Sequence, residues 1–352
     1  MNFSPRPFLA TSLIAMLMSM GLPQPLPAAD WIDVSSSLLA RLTNGGAKTD
    51  WPGGCSGVVV NRTNGAVTIK VVGLGLWRSL DSGGNWRRVD DQTVSGRDET
   101  GWATSVDPND PGRMSSFSLD GAAGWTSDGT RWRRFADLGR NWDYGSIDWS
   151  ASEPRTIIGA RHETTPPGEV YVSTNGGSSW RLLSVHLSQQ RGRPSMVGAL
   201  GAAALIYGNG DGVQRSTDFG QTWTRVTEWN PLTRTPVYFQ GAHYLGGTNG
   251  LQVSRDRGVT WRPLGSPVPS PVWQGPFFGR NAEEILVVSR DGVYLTRDGG
   301  TQWKRVADLK AKEKGFLFTA DWFGCYAWDP VNDVLYASAM GNPVYRLKLE
   351  PR

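Results

Sequence analysis

One phrase constrains this chain more than any other, because it is written six times. Its fullest form is S-x-D-x-G-x-x-W, at Ser79, Asp81, Gly83 and Trp86. It returns at Ser173/Asn175/Gly177/Trp180, Ser216/Asp218/Gly220/Trp223, Ser254/Asp256/Gly258/Trp261 and Thr296/Asp298/Gly300/Trp303, and one residue short at Thr126/Asp128/Trp132. The tryptophan-to-tryptophan steps are 46, 48, 43, 38 and 42 residues. A period near 40 built from short strands is the mark of a propeller, in which each repeat is one four-stranded blade. The residue types suit a hairpin. A carboxylate accepts backbone N–H groups, glycine takes a positive φ, the hydroxyl residue ends one strand, and the indole opens the next and packs under the turn.

The blades can be laid out from the first. Strand A is expected at residues 56–61, B at 67–72, C at 76–79 and D at 86–89. In blade six, strand A is expected at residues 277–278. After the sixth box the chain offers three more strands, at residues 323–328, 334–338 and 344–348, and then ends without a box. The missing outer strand is expected at residues 30–34, where Trp31 and Val34 repeat the W-x-x-V spacing of Trp86/Val89, Trp223/Val226 and Trp303/Val306. The fold class is therefore all-β, a seven-bladed propeller over residues 30–352 whose N-terminal strand closes the last blade and leaves the ring no open seam.

Residues 1–29 hold one charge, Arg6, before an apolar run from Leu9 to Leu22 and a Pro/Ala-rich stretch ending at Ala29. That pattern reads as a signal peptide for export, too short for a membrane span. Its removal leaves a net charge one lower than the whole chain's +4. So weak a basicity, without basic runs interleaved with stacking aromatics, excludes nucleic acid as a partner. A monomer is expected. Cys55 and Cys325 fall on the innermost strands of the first and last blades, neighbours in a closed ring. A disulfide and two free buried thiols are both open to them.

Departures from the repeat mark where chemistry could sit. Most B–C turns are plain hairpins, but blade two inserts residues 120–124 and blade three runs through residues 161–168. Asp120, Asp143, His162 and Glu163 are the candidate catalytic groups. The connections between blades place tryptophan beside carboxylate: Asp50 with Trp51, Glu99 with Trp102, Trp142 with Asp143 and Tyr144, and Asp321 with Trp322. With Arg161, Tyr238 and Trp273 these form the candidate substrate-binding set. Flat rings beside acids suit a sugar chain, whose C–H faces stack and whose hydroxyls bind carboxylates. Two carboxyls facing one bond are what a glycosidase needs. No metal-ligand spacing, phosphate loop or nucleophile motif stands out, and no cofactor is expected.

The recurring hairpin is identified as the Asp-box of sialidase-like propellers. Gly75-Leu-Trp-Arg-Ser79 and the segment from Trp142 to Trp149 resemble blades of glycoside hydrolase family 74, the xyloglucanase type. The resemblance implies boxes on the face opposite the active site and a polysaccharide substrate. It also has limits. That family works between two propellers, whereas one is expected here. Its T-D-x-G-G turn with a catalytic Asp is replaced by Val71-Val-Gly-Leu-Gly75, and Leu119-Asp120-Gly-Ala-Ala123 is the nearest match. The R-I-P motif of sialidases is missing. The chain also resembles, more distantly, single-propeller photosystem-II assembly factors, which are not enzymes. A polysaccharide hydrolase is thus the first expectation. A lyase using His162 or Tyr144 as base, or a non-catalytic binding or assembly module, is the alternative.

Overall fold

The computed structural model describes residues 30–138, 141–162, 168–186 and 195–350. The expected signal peptide and Glu163 both lie outside them. Seven four-stranded antiparallel sheets are arranged as blades. Blade one runs Cys55–Val60, Val67–Val71, Gly75–Ser79 and Arg87–Arg88 from the axis outward. Blade two is Thr104–Val106, Met114–Ser116, Gly124–Thr126 and Trp132–Arg134, and blade three is Trp142–Ile147, Ile157–Arg161, Val170–Ser173 and Arg181–Leu182. Blade seven pairs Gly324–Asp329, Val334–Ala339 and Tyr345–Lys348 with the N-terminal Ile32–Asp33. Ile32 faces Arg346 and Asp33 faces Tyr345, so the expected closure of the ring is present.

Burial explains why these sequences become strands. The inner strands of blades one, three and seven are buried along their whole length, and the outermost strands of blades one and three are exposed. The apolar core lies between blades: Leu286 and Val288 of blade six meet Tyr326, Trp328 and Leu335 of blade seven in one cluster. Blade six departs from its expected start. Its inner strand begins at Val272, not at residue 277, and shifts register twice on its way to Phe278. Pro276 lacks an N–H and Gly275 adopts φ +94°, so the strand pattern is broken exactly where the ladder is bulged and cannot be read by alternation.

A helix, Ser36–Asn44, was not expected among the strands. The Asp33 carboxylate accepts the Ser35 and Ser36 amides at 2.9 Å and starts it. Leu38 then anchors it in the core cluster that holds Cys55, Trp86 and Cys325.

The boxes also join blades. Ser79 donates to Asp81 Oδ1 at 2.7 Å and accepts the Gly83 amide at 2.8 Å, while Asp81 Oδ1 accepts the Asn85 amide at 2.8 Å. Gly83 sits at φ +98°, and a Cβ there would lie 2.5 Å from Val34 Cβ of the preceding blade. The Trp86 indole donates to Val34 O at 2.9 Å, and Trp132 donates to Val89 O at 3.1 Å. Each of these boxes is thus stitched to the outer strand of its neighbour.

The two cysteines do not form the disulfide considered above. Both are free and buried. Cys55 Sγ lies 3.7 Å from Ser35 Oγ, whereas Cys325 Sγ lies 3.3 Å from Val58 O. Among the described residues no helix is long and apolar enough to cross a membrane.

Candidate functional site

On the face opposite the boxes, the connections of blades one to three are joined by a rim of backbone hydrogen bonds. Gly73 N reaches Gly96 O at 3.0 Å, Arg97 and Leu119 exchange bonds of 2.9 and 3.0 Å, Trp142 N reaches Ser118 O at 3.2 Å, and His162 N reaches Asn141 O at 2.9 Å. Thr100 adds a side-chain bond to Asp143 O at 2.9 Å. Five separate segments are thereby set side by side, and four of them deliver charged groups: Arg97 with Glu99, Asp120, Asp143, and His162.

The centre of the cluster is Glu99. It is buried, and burial pushes its carboxyl above the usual range; the nearby Asp143 charge adds to this, while His162, Arg97 and a hydrogen bond from Trp322 oppose it. Arg97 lies 3.8 Å from Glu99 Oε2 and is also paired with the exposed Asp120. Asp143 Oδ1 is 2.6 Å from His162 Nδ1. A carboxylate can only accept, so Nδ1 carries the proton when the imidazole is neutral, and Nε2 is left as an acceptor. Beneath the rim, the fully buried Lys70 is paired with Asp98 at 2.9 Å and bonded to Ser116 at 2.8 Å and to Ser118.

Aromatic groups flank this cluster on two sides. Trp51 is 65% exposed, with the Arg97 guanidinium 5.1 Å from its ring and Phe316 edge-on at 6.0 Å. Trp322 is half-buried, edge-on to Tyr144 at 6.4 Å. On the axis below lies an apolar cavity of about 130 Å³ lined by Trp102, Val58, Phe277 and Trp328 among others. Its box end is crossed by Arg62, bonded to Gly279 O at 2.7 Å, and by Asn109, bonded to Tyr238 O at 2.9 Å.

The known proteins this chain is similar to agree with that architecture. The family model described as the BNR/Asp-box repeat matches residues 214–225, the end of one blade's third strand, its box and the start of the fourth. The chain is a seven-bladed Asp-box propeller. The propeller is 25% identical over 194 residues to an oligoxyloglucan-reducing end-specific xyloglucanase of Emericella nidulans, a match that takes in 46% of this chain and 24% of the relative. A glycoside hydrolase family 74 enzyme of Niastella koreensis superposes with a TM-score of 0.53 at 17% identity, over 90% of this chain and 53% of that one. YCF48 from Cyanidioschyzon merolae gives a TM-score of 0.47 at 13% identity, over 91% and 98%. The propeller therefore spans about a quarter of the curated relative's length and about half of the Niastella enzyme's.

Of the residues singled out in the sequence, the propeller brings Glu99, Asp120, Asp143, His162 and Trp322 into one cluster, with Trp51 at its edge. Asp50 stands exposed against Gly73 on the same rim, and Asp321 is exposed beside Trp322. Arg161 lies one residue from His162 but is paired with Glu169 at 3.3 Å and leans on the Tyr171 ring, so it is already occupied. Other candidates are corrected. Trp142 is 3% exposed and packs on Trp180 and Phe117, and Tyr144 is fully buried, so neither can stack on a ligand. Trp102 is likewise buried and lines the axial cavity. Tyr238 lies toward the box end, against His243, and Trp273 packs into the core between blades six and seven. A tryptophan beside a carboxylate in a connection between blades does not by itself distinguish a rim position from an irregular core one. Arg97 is not among the sequence candidates, although it adjoins Asp98 and Glu99 in the chain. Among the described residues no group of three or more metal-ligating side chains is assembled.

Proposed function

We propose that this face binds a polysaccharide and hydrolyses it, with Glu99 as proton donor and the His162–Asp143 pair as proton acceptor. The observation that carries the reading is the asymmetry of the cluster. One carboxyl is pushed toward its protonated form by burial, while the neighbouring carboxylate is bonded to Nδ1 of an imidazole and so fixes the other ring nitrogen as the acceptor. Glu99 would protonate the glycosidic oxygen as the C1–O bond breaks. Water would add to C1 and pass its proton to His162 Nε2, and Asp143 would stabilise the imidazolium. The exposed Trp51 would supply an apolar face for a sugar ring. The likeness to a xyloglucanase makes xyloglucan the first substrate to try. The apolar leader expected at residues 1–29 would place the reaction outside the cytoplasm.

A second reading, a binding module without turnover, has its own support. Arg97 touches both Glu99 and Asp120, so carboxylates of this rim already carry a cation, as expected of a fixed recognition surface. One experiment separates the two. The purified protein is incubated with xyloglucan and a panel of other polysaccharides, and new reducing ends are counted for the wild type, Glu99→Gln and His162→Ala. Hydrolysis should fall about 10²–10⁴-fold in each variant. Binding without new reducing ends in the wild type would establish the second reading. Unsaturated-uronate absorbance in place of simple reducing ends would mean elimination instead of hydrolysis.

A further inference from the structure

One side chain outside all the sequence candidates reaches this site from across the ring. Arg234 lies in the connection from blade four to blade five. Its main-chain carbonyl accepts the Val197 amide at 3.0 Å, and its Nη1 donates to Ser195 O at 3.0 Å, so it is tied to blade four at both ends. Its guanidinium carbon then lies 5.7 Å from the Trp102 ring and 5.1 Å from the Trp322 ring. Those two indoles come from opposite sides of the closure: Trp102 leads into blade two and Trp322 into blade seven. Gly101 N donates to Trp322 O at 3.1 Å and links their backbones as well.

We propose that Arg234 is a positioning residue of this site, holding Trp322 between its guanidinium and Tyr144 so that the indole N–H stays on Glu99. A planar cation suits that task. It stacks on two π faces at once while its N–H edge anchors to a carbonyl, which an ammonium on a flexible stem does less well. Tyr144 supports Trp322 edge-on, so the ring is confined from more than one direction. The charged groups acting on Glu99 are Arg97, His162 and Asp143, and Trp322 is its neutral donor. Loosening Trp322 removes a hydrogen bond that favours the carboxylate, so the Glu99 pKa should rise. Its assignment to the proton donor of a hydrolase rests on the reading above; the geometric link does not.

The test reads Glu99 directly. The carboxyl carbon of Glu99 is followed by NMR across pH in ¹³C-labelled protein, assigned by its loss in Glu99→Gln. Arg234→Met should raise the Glu99 pKa by about half to one unit, Trp322→Phe should do the same, and the double variant should add little to either. Arg234→Lys keeps the charge but not the stack. A shift in Arg234→Lys close to that in Arg234→Met supports positioning. No shift in Arg234→Lys beside a clear one in Arg234→Met would mean that only the charge matters and would overturn the proposal. So would a Glu99 pKa unchanged in both variants while melting temperature falls, because that is the pattern of a purely structural clamp. Hydrolysis is measured on the same samples. If Glu99→Gln leaves it intact while the Arg234 variants still move the pKa, the hydrolase assignment fails and the positioning role stands.

Discussion

Glu99 and its neighbours differ from an ordinary surface cluster in how their charges are shared. A solvated carboxylate near an arginine would be held down, yet Glu99 is raised because desolvation outweighs the cations around it. The expected pH dependence follows. As a proton donor Glu99 must be protonated, so hydrolysis should decline as pH rises through its pKa, at a midpoint above the ordinary glutamate value of about 4.3. The pH–rate profile checks this, and a basic limb absent from the profile would remove Glu99 from the role. Asp143→Asn tests the imidazole in another way. The amide can donate to Nδ1 and favour the wrong tautomer, so activity should fall by about 10²-fold or more with little change in melting temperature. At the same scale, burial pushes the Cys55 and Cys325 thiols up to about 12, each with its own partners. Neither should react with a thiol reagent at neutral pH until denaturant is added. Rapid labelling of the native protein would contradict that burial.

The box hairpin is the element that turns a local motif into a ring. Within it, the Ser79 hydroxyl and then Asn85 hold the Asp81 carboxyl at about 2, and Ser216 and Thr222 hold Asp218 down likewise. These folded values lie below the unfolded value of about 3.9. The stabilisation is therefore complete above about pH 4 and is lost as pH falls toward 2. Thermal melts between pH 5 and pH 2 should show it, and Asp81→Asn, Asp218→Asn should flatten the loss. Gly83 carries two demands at once, a positive φ and contact with Val34. Gly83→Ala should cost about 1–3 kcal/mol, more than an alanine placed in an unstrained open turn, as read by denaturant unfolding. These elements were legible in the chain, because a turn's chemistry is local and six copies average out the noise. Less legible were the helix at Ser36–Asn44 and the bulged strand of blade six. The first depends on the core cluster that receives Leu38 and the second on a ladder interrupted at Gly275-Pro276.

Over the whole molecule, no disulfide closes the ring, since Cys55 and Cys325 are both free, and the last blade is assembled differently from the others. Blade seven takes its third strand from the C-terminal end of the chain and its fourth from the N-terminal end, so no hairpin connects them and no box can form there. Among the described residues, the box indoles of Trp86, Trp132 and Trp303 bond a carbonyl of the preceding blade, those of Trp180, Trp223 and Trp261 do not, and blade seven has no box to offer such a bond to blade six. In its place lies a groove of about 610 Å³ lined by Leu295, Trp303, Val306, Leu347 and Asp30 among others. Hydrogen exchange should open first along this seam, at Lys304–Ala307 and Tyr345–Lys348, before the equivalent strands of blade one. Deleting residues 30–34 removes the closing strand and the acceptor of the Trp86 indole, and should lower the melting temperature by more than about 5 °C.

The sequence by itself determined the number of blades, the box hairpins and the split last blade, because each is a short-range pattern repeated at a fixed period. It also pointed to the face on which Glu99, Asp143 and His162 gather, since irregular connections stand out against a regular repeat. Only the tertiary structure decided which residues share a site. Glu99, Asp143, His162, Trp322 and Arg234 lie on separate connections up to half the chain or more apart, and the ring brings them together through backbone bonds between blades. The same packing buried Trp142 and Tyr144 and left Trp51 in the open, because exposure is set by what the neighbouring blade places against a ring and not by the residue type.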